Sequence, residues 1–163
     1  MPMTLDDRDI RILDILSREG RISKTELARR VNLSATPCWE RLKRLEDAGL
    51  IIGYHAEIAL NGLARHVTVF VLAELEAHRA ADFRRFEQAV ARHDEITGCW
   101  GLGGGFDYLM QVIDTDIDSY QRLMDELLGA GIGLKRYFTY IVTKEVKAAT
   151  APPIAHLLGL QDG

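Results

Sequence analysis

Apolar residues in the first fifty positions recur at helical spacing, in three segments that end at glycine or asparagine. The first segment runs from Thr4 to Gly20, where Thr4 and Asp7 resemble an N-terminal capping box and Gly20 resembles a C-terminal cap. The second runs from Ser23 to Asn32 and opens with a second S-x-x-E box. The pattern therefore predicts two short, capped helices in close succession.

A third helix is predicted from Ser34 to Gly49, only two residues after the second. Its inward face recurs at i, i+4 and i+7 and comprises Cys38, Leu42 and Leu45. So short a connection forces two helices to cross steeply, which is typical of a helix-turn-helix. The sequence thus predicts a three-helix, winged-helix-like domain over residues 1–52, followed by a short strand and linker to residue 65.

The rest of the chain alternates between strand-like and helix-like patterns. Strands are predicted at 66–76, 96–102, 106–114 and 134–146, and helices at 80–93 and 117–128. The order βαββαβ is the ferredoxin-like arrangement, so the predicted fold class is α+β. This second domain is predicted over residues 66–148, with a C-terminal tail over 149–163.

The predicted strands are apolar on both sides. In the first strand Phe70 and Leu72 oppose Val69 and Val71. Because both helices of a βαββαβ unit cover the same face of the sheet, the other face needs a second layer. We expect a symmetry-related sheet to bury the face that carries Phe70 and Met110, which gives a homodimer.

Composition and charge limit the class of protein. Of the 163 residues 47% are hydrophobic and 27% are charged, as in globular proteins, and no apolar run is long enough to span a bilayer. The first residues resemble no secretory signal, so we expect a cytoplasmic protein without a membrane partner. The net charge is −4, but residues 1–52 carry ten Lys/Arg and nine Asp/Glu, whereas the remainder carries ten and fifteen. A local basic face within an acidic protein can still bind DNA.

The sequence contains little that indicates an active site or a metal site. Cys38 and Cys99 lie far apart and are expected to be reduced, mostly buried thiols, and the five histidines are scattered. No catalytic constellation is visible, so we expect neither an enzyme, a metal site nor a cofactor. The glycine-rich run after Gly101 joins two strands, whereas a dinucleotide loop opens a helix. Trp100 is interpreted as a half-buried core residue rather than a ligand contact.

The third helix carries the predicted DNA contacts. Its polar side holds Thr36, Glu40 and Lys43. Short polar groups at the start of a recognition helix reach base edges, and basic groups along its flank neutralise phosphate. The predicted DNA-binding residues are Ser34, Ala35, Thr36 and Trp39 near the bases, and Arg41, Lys43 and Arg44 at phosphates. An ordinary solvated helix face remains the alternative.

Several motifs resemble the Lrp/AsnC family of transcriptional regulators. In the first half these are Leu5-Asp6-x-x-Asp9-x-x-Ile12-Leu13, Glu26-Leu27-Ala28 and the stretch from Ser34 to Ile51. In the second half, Gly105-Phe106-Asp107-Tyr108 between two strands resembles the effector domain of that family. The resemblance covers residues 5–147, although the three-glycine run at 103–105 is richer than usual.

The resemblance implies dimers that assemble into octamers or similar rings, and amino-acid-like effectors bound near the glycine-rich loop. The residues it assigns to the effector are Gly103, Gly104, Gly105, Phe106, Asp107, Tyr108, Thr139 and Tyr140. Glycine lets backbone N–H groups approach a carboxylate, and Asp107 could pair with an ammonium group. The alternative is a hairpin loop whose glycines only turn the chain and whose aspartate only caps it.

The predicted function is sequence-specific, double-stranded DNA binding that responds to an amino acid or an amino-acid-derived metabolite. Two alternatives stay open: a nucleoid-type architectural DNA binder without an effector, and a small enzyme or metabolite-binding protein that uses only the second domain. Within the family, the chain looks most similar to a subgroup associated with breakdown of compatible solutes such as ectoine.

Overall fold

The computed structural model describes residues 4–149 and 151–159, which form two compact units. The N-terminal unit comprises the described residues of 1–58 and 147–163, and the sheet unit comprises residues 59–146. The helices are α1 (Asp7–Arg18), α2 (Lys24–Arg30), α3 (Ala35–Asp47), α4 (Ala80–Val90), α5 (Ile117–Gly129) and α6 (Ile154–Leu157). The strands are β1 (Val67–Leu75), β2 (Ile96–Gly101), β3 (Tyr108–Asp114) and β4 (Leu134–Ile141), and Leu60–Gly62 forms a 3₁₀ turn.

Helix α1 begins at a capping box that lies two residues later than predicted. The Asp6 carboxylate accepts hydrogen bonds from the backbone N–H groups of Arg8 and Asp9, and the Asp9 side chain accepts from the N–H of Asp6. The expected Thr4–Asp7 box is therefore wrong. The side chain of Asp6 reaches the first free N–H groups of the helix because Asp6 keeps an extended backbone immediately before the first helical turn.

The helix ends follow the sequence in part. Asn32 and Gly49 have φ values of 53° and 70°, so both adopt the left-handed conformation where the sequence predicts the ends of α2 and α3. Gly20 does not adopt such a conformation, because α1 already ends at Arg18 and Glu19 is its cap. Ser23 caps α2 by accepting from the N–H of Glu26 at 3.2 Å.

The core of the N-terminal unit confirms the predicted inward face of α3. Its buried residues come from all three helices and the turn, and they are Ile12, Leu27, Ala28, Val31, Cys38, Leu42 and Leu45. The strand expected within 53–65 is absent, since all of these residues are described and none joins a sheet. A strand needs a hydrogen-bonding partner, and no described residue pairs with this segment as a neighbouring strand.

The predicted tail, 149–163, is not wholly irregular. Its short helix α6 packs against α1 within the N-terminal unit. Residue 150 and residues 160–163 lie outside the described residues, so the tail prediction is tested only over 149 and 151–159.

The sheet unit confirms the predicted βαββαβ order. Its four strands are antiparallel in the order β2-β3-β1-β4. Strand β4 ends at Ile141 rather than at Val146. The N–H of Val142 donates to the carbonyl of Thr68, which lies close to the start of β1, so β1 has almost no further residues with which β4 could pair. Strand β3 starts at Tyr108 rather than at Phe106.

The two faces of the sheet differ from the prediction in one respect. Phe70 lies opposite Gln111 and Tyr140, whereas Met110 pairs with Val71 and is fully buried on the helix-covered face. Met110 therefore does not share a face with Phe70, because neighbouring positions along a strand point to opposite sides. We call the side away from the helices the outer face; it carries Thr68, Phe70, Leu72, Trp100, Leu109, Gln111, Ile113, Phe138 and Tyr140.

Trp100 also departs from its interpretation as a core residue. It pairs with Leu109 on the outer face and its side chain is 48% exposed. The outer face thus presents several half-exposed aromatic and aliphatic side chains to its surroundings in the single chain.

Candidate nucleic-acid interface and effector site

Helix α3 presents its predicted base-reading residues to the surface. Thr36, Trp39, Glu40 and Lys43 are all exposed, while the opposite side of the helix fills the core. Ser34 and Ala35 are likewise exposed at its start, and the Ser34 hydroxyl makes no capping hydrogen bond to the helix. We call Thr36, Glu40 and Lys43 the exposed stripe of α3. These residues are spaced about one helical turn from each other and so share one side of the helix, as expected for a helix that enters a DNA groove.

Two of the three residues that are predicted to contact phosphate, Arg41 and Arg44, form hydrogen bonds with carboxylates of the same unit. The carboxylate of Asp9 accepts hydrogen bonds from Arg41 Nη1 at 2.8 Å and from Arg44 Nη2 at 2.6 Å. Asp6 accepts from Arg41 Nη1 at 2.6 Å. Sequence reasoning missed this network because its two sides lie 32 or more residues apart along the chain.

Asp9 places this network at the edge of the core, whereas Asp6 and Arg44 are half exposed. The Asp9 side chain is 1% exposed, and that of Arg41 is 25% exposed. The N–H of Asp9 and the guanidinium of Arg41 lower the pKa of Asp6, and the two acids raise the pKa of Arg41. Lys43, in contrast, forms no ion pair with any residue that the structure describes.

The ring of Trp39 is in contact with a lysine of α2 that was not among the predicted DNA-binding residues. The Nζ of Lys24, at the start of α2, lies 3.3 Å from the centroid of the Trp39 ring. Such a cation–π contact orients the indole along the border between α2 and α3. No spacing in the sequence points to this pair.

In the sheet unit, Asp107 anchors the glycine-rich loop. Its N–H donates to the carbonyl of Ala73, and its carboxylate accepts from the N–H of Leu75 at 2.7 Å. His78 Nε2 lies 3.0 Å from the other carboxylate oxygen. The geometry favours the capping role that the sequence left open, since both oxygens of Asp107 already have partners.

The other predicted effector residues fall on two faces. The Tyr108 hydroxyl donates to Glu87 at 2.7 Å and its ring stacks on Phe86, on the helix-covered side. Burial, followed by the hydrogen bond to Glu87, raises the pKa of Tyr108. Thr139 is hydrogen-bonded to the Tyr120 hydroxyl at 2.6 Å on this side as well, whereas Tyr140 lies on the outer face.

Phe106 belongs to a cluster that sequence reasoning missed. Its ring meets that of Phe138 edge to face at 5.4 Å, and the Arg136 guanidinium carbon lies 5.9 Å from the centroid of Phe106. Glu74 forms ion pairs with both Arg136 and Lys135. The alternation of Arg136, Phe138 and Tyr140 along β4 was the available signal, because i, i+2 and i+4 share one face of a strand.

On the helix-covered side, a cleft of about 510 Å³ lies between α4 and β2, with Glu87, Cys99 and Tyr108 in its lining. Burial and the nearby Glu87 raise the pKa of Cys99 to about 11, so this thiol stays protonated at neutral pH. Burial likewise raises the pKa of Cys38. Over the described ranges, no group of three or more His, Cys, Asp or Glu side chains is arranged to hold a metal ion.

Comparison with known proteins agrees with this division of the chain. Residues 5–52 match the family described as winged helix-turn-helix DNA-binding, and residues 68–152 match the Lrp/AsnC ligand binding domain. Both are regulatory domains rather than catalytic ones, so the chain is a DNA-binding transcriptional regulator with a ligand-binding domain. It belongs to the Lrp/AsnC family, which confirms the resemblance seen in its motifs.

The relatives cover nearly the whole chain. The transcriptional regulatory protein DoeX of Halomonas elongata is 52% identical over 91% of this chain and 94% of its own length. The leucine-responsive regulatory protein of Escherichia coli is 41% identical over 88% of this chain and 87% of its own. A regulator from Neisseria meningitidis, solved as a complex with L-Met, has a TM-score of 0.87 at 33% identity and covers 94% of this chain and 99% of that one.

A solved AsnC family regulator from Agrobacterium tumefaciens has a TM-score of 0.86 at 28% identity, over 94% of this chain and 99% of that one. Among the residues that the structure describes, no helix has the length and apolar character needed to cross a membrane.

Proposed function

We propose that this regulator binds a specific operator as a homodimer, through the exposed stripe of α3, and that an amino-acid-like effector controls that binding. The observation that carries the proposal is the exposure of Thr36, Glu40 and Lys43 on a helix that the short turn after α2 holds at the surface. A regulator of this kind acts in the cytoplasm, where the DNA lies.

The DNA-binding part is supported by the chemistry of this stripe. A hydroxyl near the start of the helix can reach a base edge, and Lys43 can neutralise a phosphate. The test is the affinity of the purified protein for operator and random duplexes at several salt concentrations. Specific binding should exceed random binding by about 10³-fold or more. Equal affinity for both duplexes would support the architectural alternative and contradict a specific operator.

The homodimer is supported by the outer face of the sheet. Phe70, Leu72 and Leu109 lie there, on the side of the sheet away from α4 and α5. A two-sided apolar sheet needs a second layer, and a copy of the same sheet supplies one under two-fold symmetry. The operator should then contain two related half-sites about one helical turn apart, or a multiple of this spacing. Assembly of such dimers into octamers or similar rings follows from the family resemblance.

The effector part is supported by the cluster around Phe106. A zwitterionic amino acid presents a carboxylate and an ammonium group, and the cluster offers Arg136 for one and Glu74 for the other. These two side chains pair with each other in the structure. A zwitterion can replace this ion pair by two new ones, from its carboxylate to Arg136 and from its ammonium group to Glu74, and the net charge of the site stays the same. The rings of Phe106 and Phe138 would cover an apolar side chain, and the backbone of Gly103–Gly105 would add N–H donors.

Two relatives support an amino acid as the class of ligand. The Neisseria meningitidis regulator was solved with L-Met, and the Escherichia coli relative is named for its response to leucine. We extend this class to the present chain, with amino-acid derivatives of compatible-solute breakdown among the first probes. Asp107, Tyr108 and Thr139 then hold the fold around the site, while Phe106 and Tyr140 face it.

The experiment is a thermal-shift screen of amino acids and their derivatives, followed by calorimetric titration of the best compound. At about one hundred times its Kd a ligand stabilises the folded protein by roughly 2.7 kcal/mol. Arg136→Met and Glu74→Gln should each weaken binding at least tenfold, whereas Arg85→Met, at an exposed position on α4, should not. Equal affinity in all four proteins would remove this cluster from the effector site.

A further inference from the structure

Glu40 stands in the middle of the exposed stripe of α3, one helical turn after Thr36 and three residues before Lys43. Several other carboxylates of the same unit have partners, such as Glu26 with Arg29 and Arg30, and Glu46 with the Tyr54 hydroxyl, whereas Asp47 resembles Glu40 in having none among the described residues. Within residues 4–149 and 151–159, no side chain or backbone group donates a hydrogen bond to the Glu40 carboxylate. Its acceptor oxygens are therefore available on the surface of the unit.

The flanks of the stripe are held by neighbouring helices. Arg44 is drawn towards α1 by Asp9, and Trp39 towards α2 by Lys24. The Glu40 carboxylate therefore lies between two side chains, Arg44 and Trp39, whose positions are held by these contacts. If the stripe enters a major groove, Glu40 meets base edges rather than the phosphate backbone, because it lies on the centre line of the helix.

A negative charge at this position does not serve general affinity for DNA. It repels the phosphates at long range, so any contact that it makes with DNA serves discrimination between sequences rather than affinity. An ionised carboxylate can only accept hydrogen bonds. In the major groove only the amino groups of cytosine and adenine donate hydrogen bonds. Adenine fits a carboxylate less well than cytosine, because its N7 acceptor lies beside the amino group and would face the second carboxylate oxygen.

We propose that Glu40 is a specificity-determining residue that accepts a hydrogen bond from the N4 amino group of a cytosine in each half-site. It disfavours guanine and thymine at that position, because both present acceptor oxygens to a carboxylate. The inference rests on the proposed function of α3 and names the base chemistry that this helix selects.

The test compares Glu40→Ala and Glu40→Gln with a control, Asp47→Asn, which removes the same charge near the end of the same helix. Each protein selects binding sites from randomised duplexes, and its affinity is then measured for the selected operator and for each single-base change. In the wild type, replacing the cytosine should weaken binding about tenfold. Glu40→Ala should reduce this penalty to less than twofold and raise the affinity for random DNA.

Glu40→Gln should shift the preference at this base pair towards adenine, whose N6 and N7 groups suit a glutamine amide. Asp47→Asn should keep the wild-type preference at every position. If Glu40→Ala keeps the full cytosine preference, or if it only raises all affinities as Asp47→Asn does, the role of Glu40 is overturned while operator binding stands. If the wild type enriches no sequence, both proposals are overturned.

Discussion

Asp9 and Arg41 form an ion pair between helices α1 and α3, with Asp9 Oδ1 2.8 Å from Arg41 Nη1. Asp9 is the one charged residue that is buried within the described part of the chain. Its second oxygen binds Arg44, and its carboxylate also accepts from the N–H of Asp6. One buried acid thus closes the cap of α1 and sets the position of α3 relative to it.

Asp9→Leu should destabilise the N-terminal unit by about 2–3 kcal/mol, because it leaves Arg41 without its buried partner and opens the cap. The measurement is urea unfolding followed by circular dichroism. A double-mutant cycle with Arg41→Met supplies the control: the loss in the double variant should be smaller than the sum of the two single losses. Strict additivity would show that the two side chains do not stabilise each other.

Acid should weaken the N-terminal unit through Asp6 and Glu26. Hydrogen bonds from Arg29 and Arg30 lower the pKa of Glu26 to about 2, and the pKa of Asp6 is also lowered. A depressed pKa in the folded state adds stability above the unfolded-state pKa and loses it as the pH falls through the folded-state value. Stability should therefore fall between about pH 4.5 and 2.

The effect per group is small because both carboxylates lie near the surface. Asp6→Asn keeps an oxygen for the cap but does not titrate, so its urea midpoint should change less between pH 5 and pH 2.5 than that of the wild type. An equal change in the two proteins would exclude Asp6 from the acid response.

Lys43 and Arg41 should differ in their effect on DNA binding, although the sequence predicts phosphate contacts for both. Lys43→Ala should reduce the slope of log affinity against log salt by about 0.9, the value for one lost phosphate contact. Arg41→Met should leave the slope unchanged, because its guanidinium is bound to Asp6 and Asp9. A slope reduced equally by both would show that Arg41 leaves its acids for phosphate. Arg44, half exposed beside Asp9, should fall between them.

Phe70→Asp should convert the dimer into a monomer, because it places an unpaired charge in the layer between two sheets. Sedimentation at micromolar concentration measures the result. Leu128→Asp is the matched control, since Leu128 is exposed on α5 and lies away from the outer face. A wild-type protein that sediments as a monomer, or a Phe70→Asp variant that remains a dimer, would contradict the proposed interface.

Asp107→Ala should lower the stability of the sheet unit by about 1–3 kcal/mol, because the N–H of Leu75 loses its acceptor. Asp107→Asn keeps an acceptor oxygen and should recover most of this loss. If Asp107 instead bound the effector ammonium directly, alanine and asparagine would weaken ligand binding alike while thermal stability without ligand stayed at the wild-type value.

The residue pattern alone predicted most of the helices and strands and their order, although the strand expected before the sheet is absent and α6 was not predicted. The 3.6-residue periodicity marks the core face of α3, and Asn32 and Gly49 end their helices, because these are local properties of the backbone and of burial. The alternation along β1 was equally local. Helix α3 and the loop that precedes Tyr108 could therefore be located from the residue pattern alone.

Which side chains meet depends on the packing of the folded chain. Asp9 and Arg41 are distant in sequence, and the pairing of Glu74 with Arg136 depends on the register between β1 and β4. Register also moved Met110 into the core, because a shift of one residue exchanges the two faces of a strand. Side-chain partners across such distances follow from packing, which no local pattern along the chain encodes.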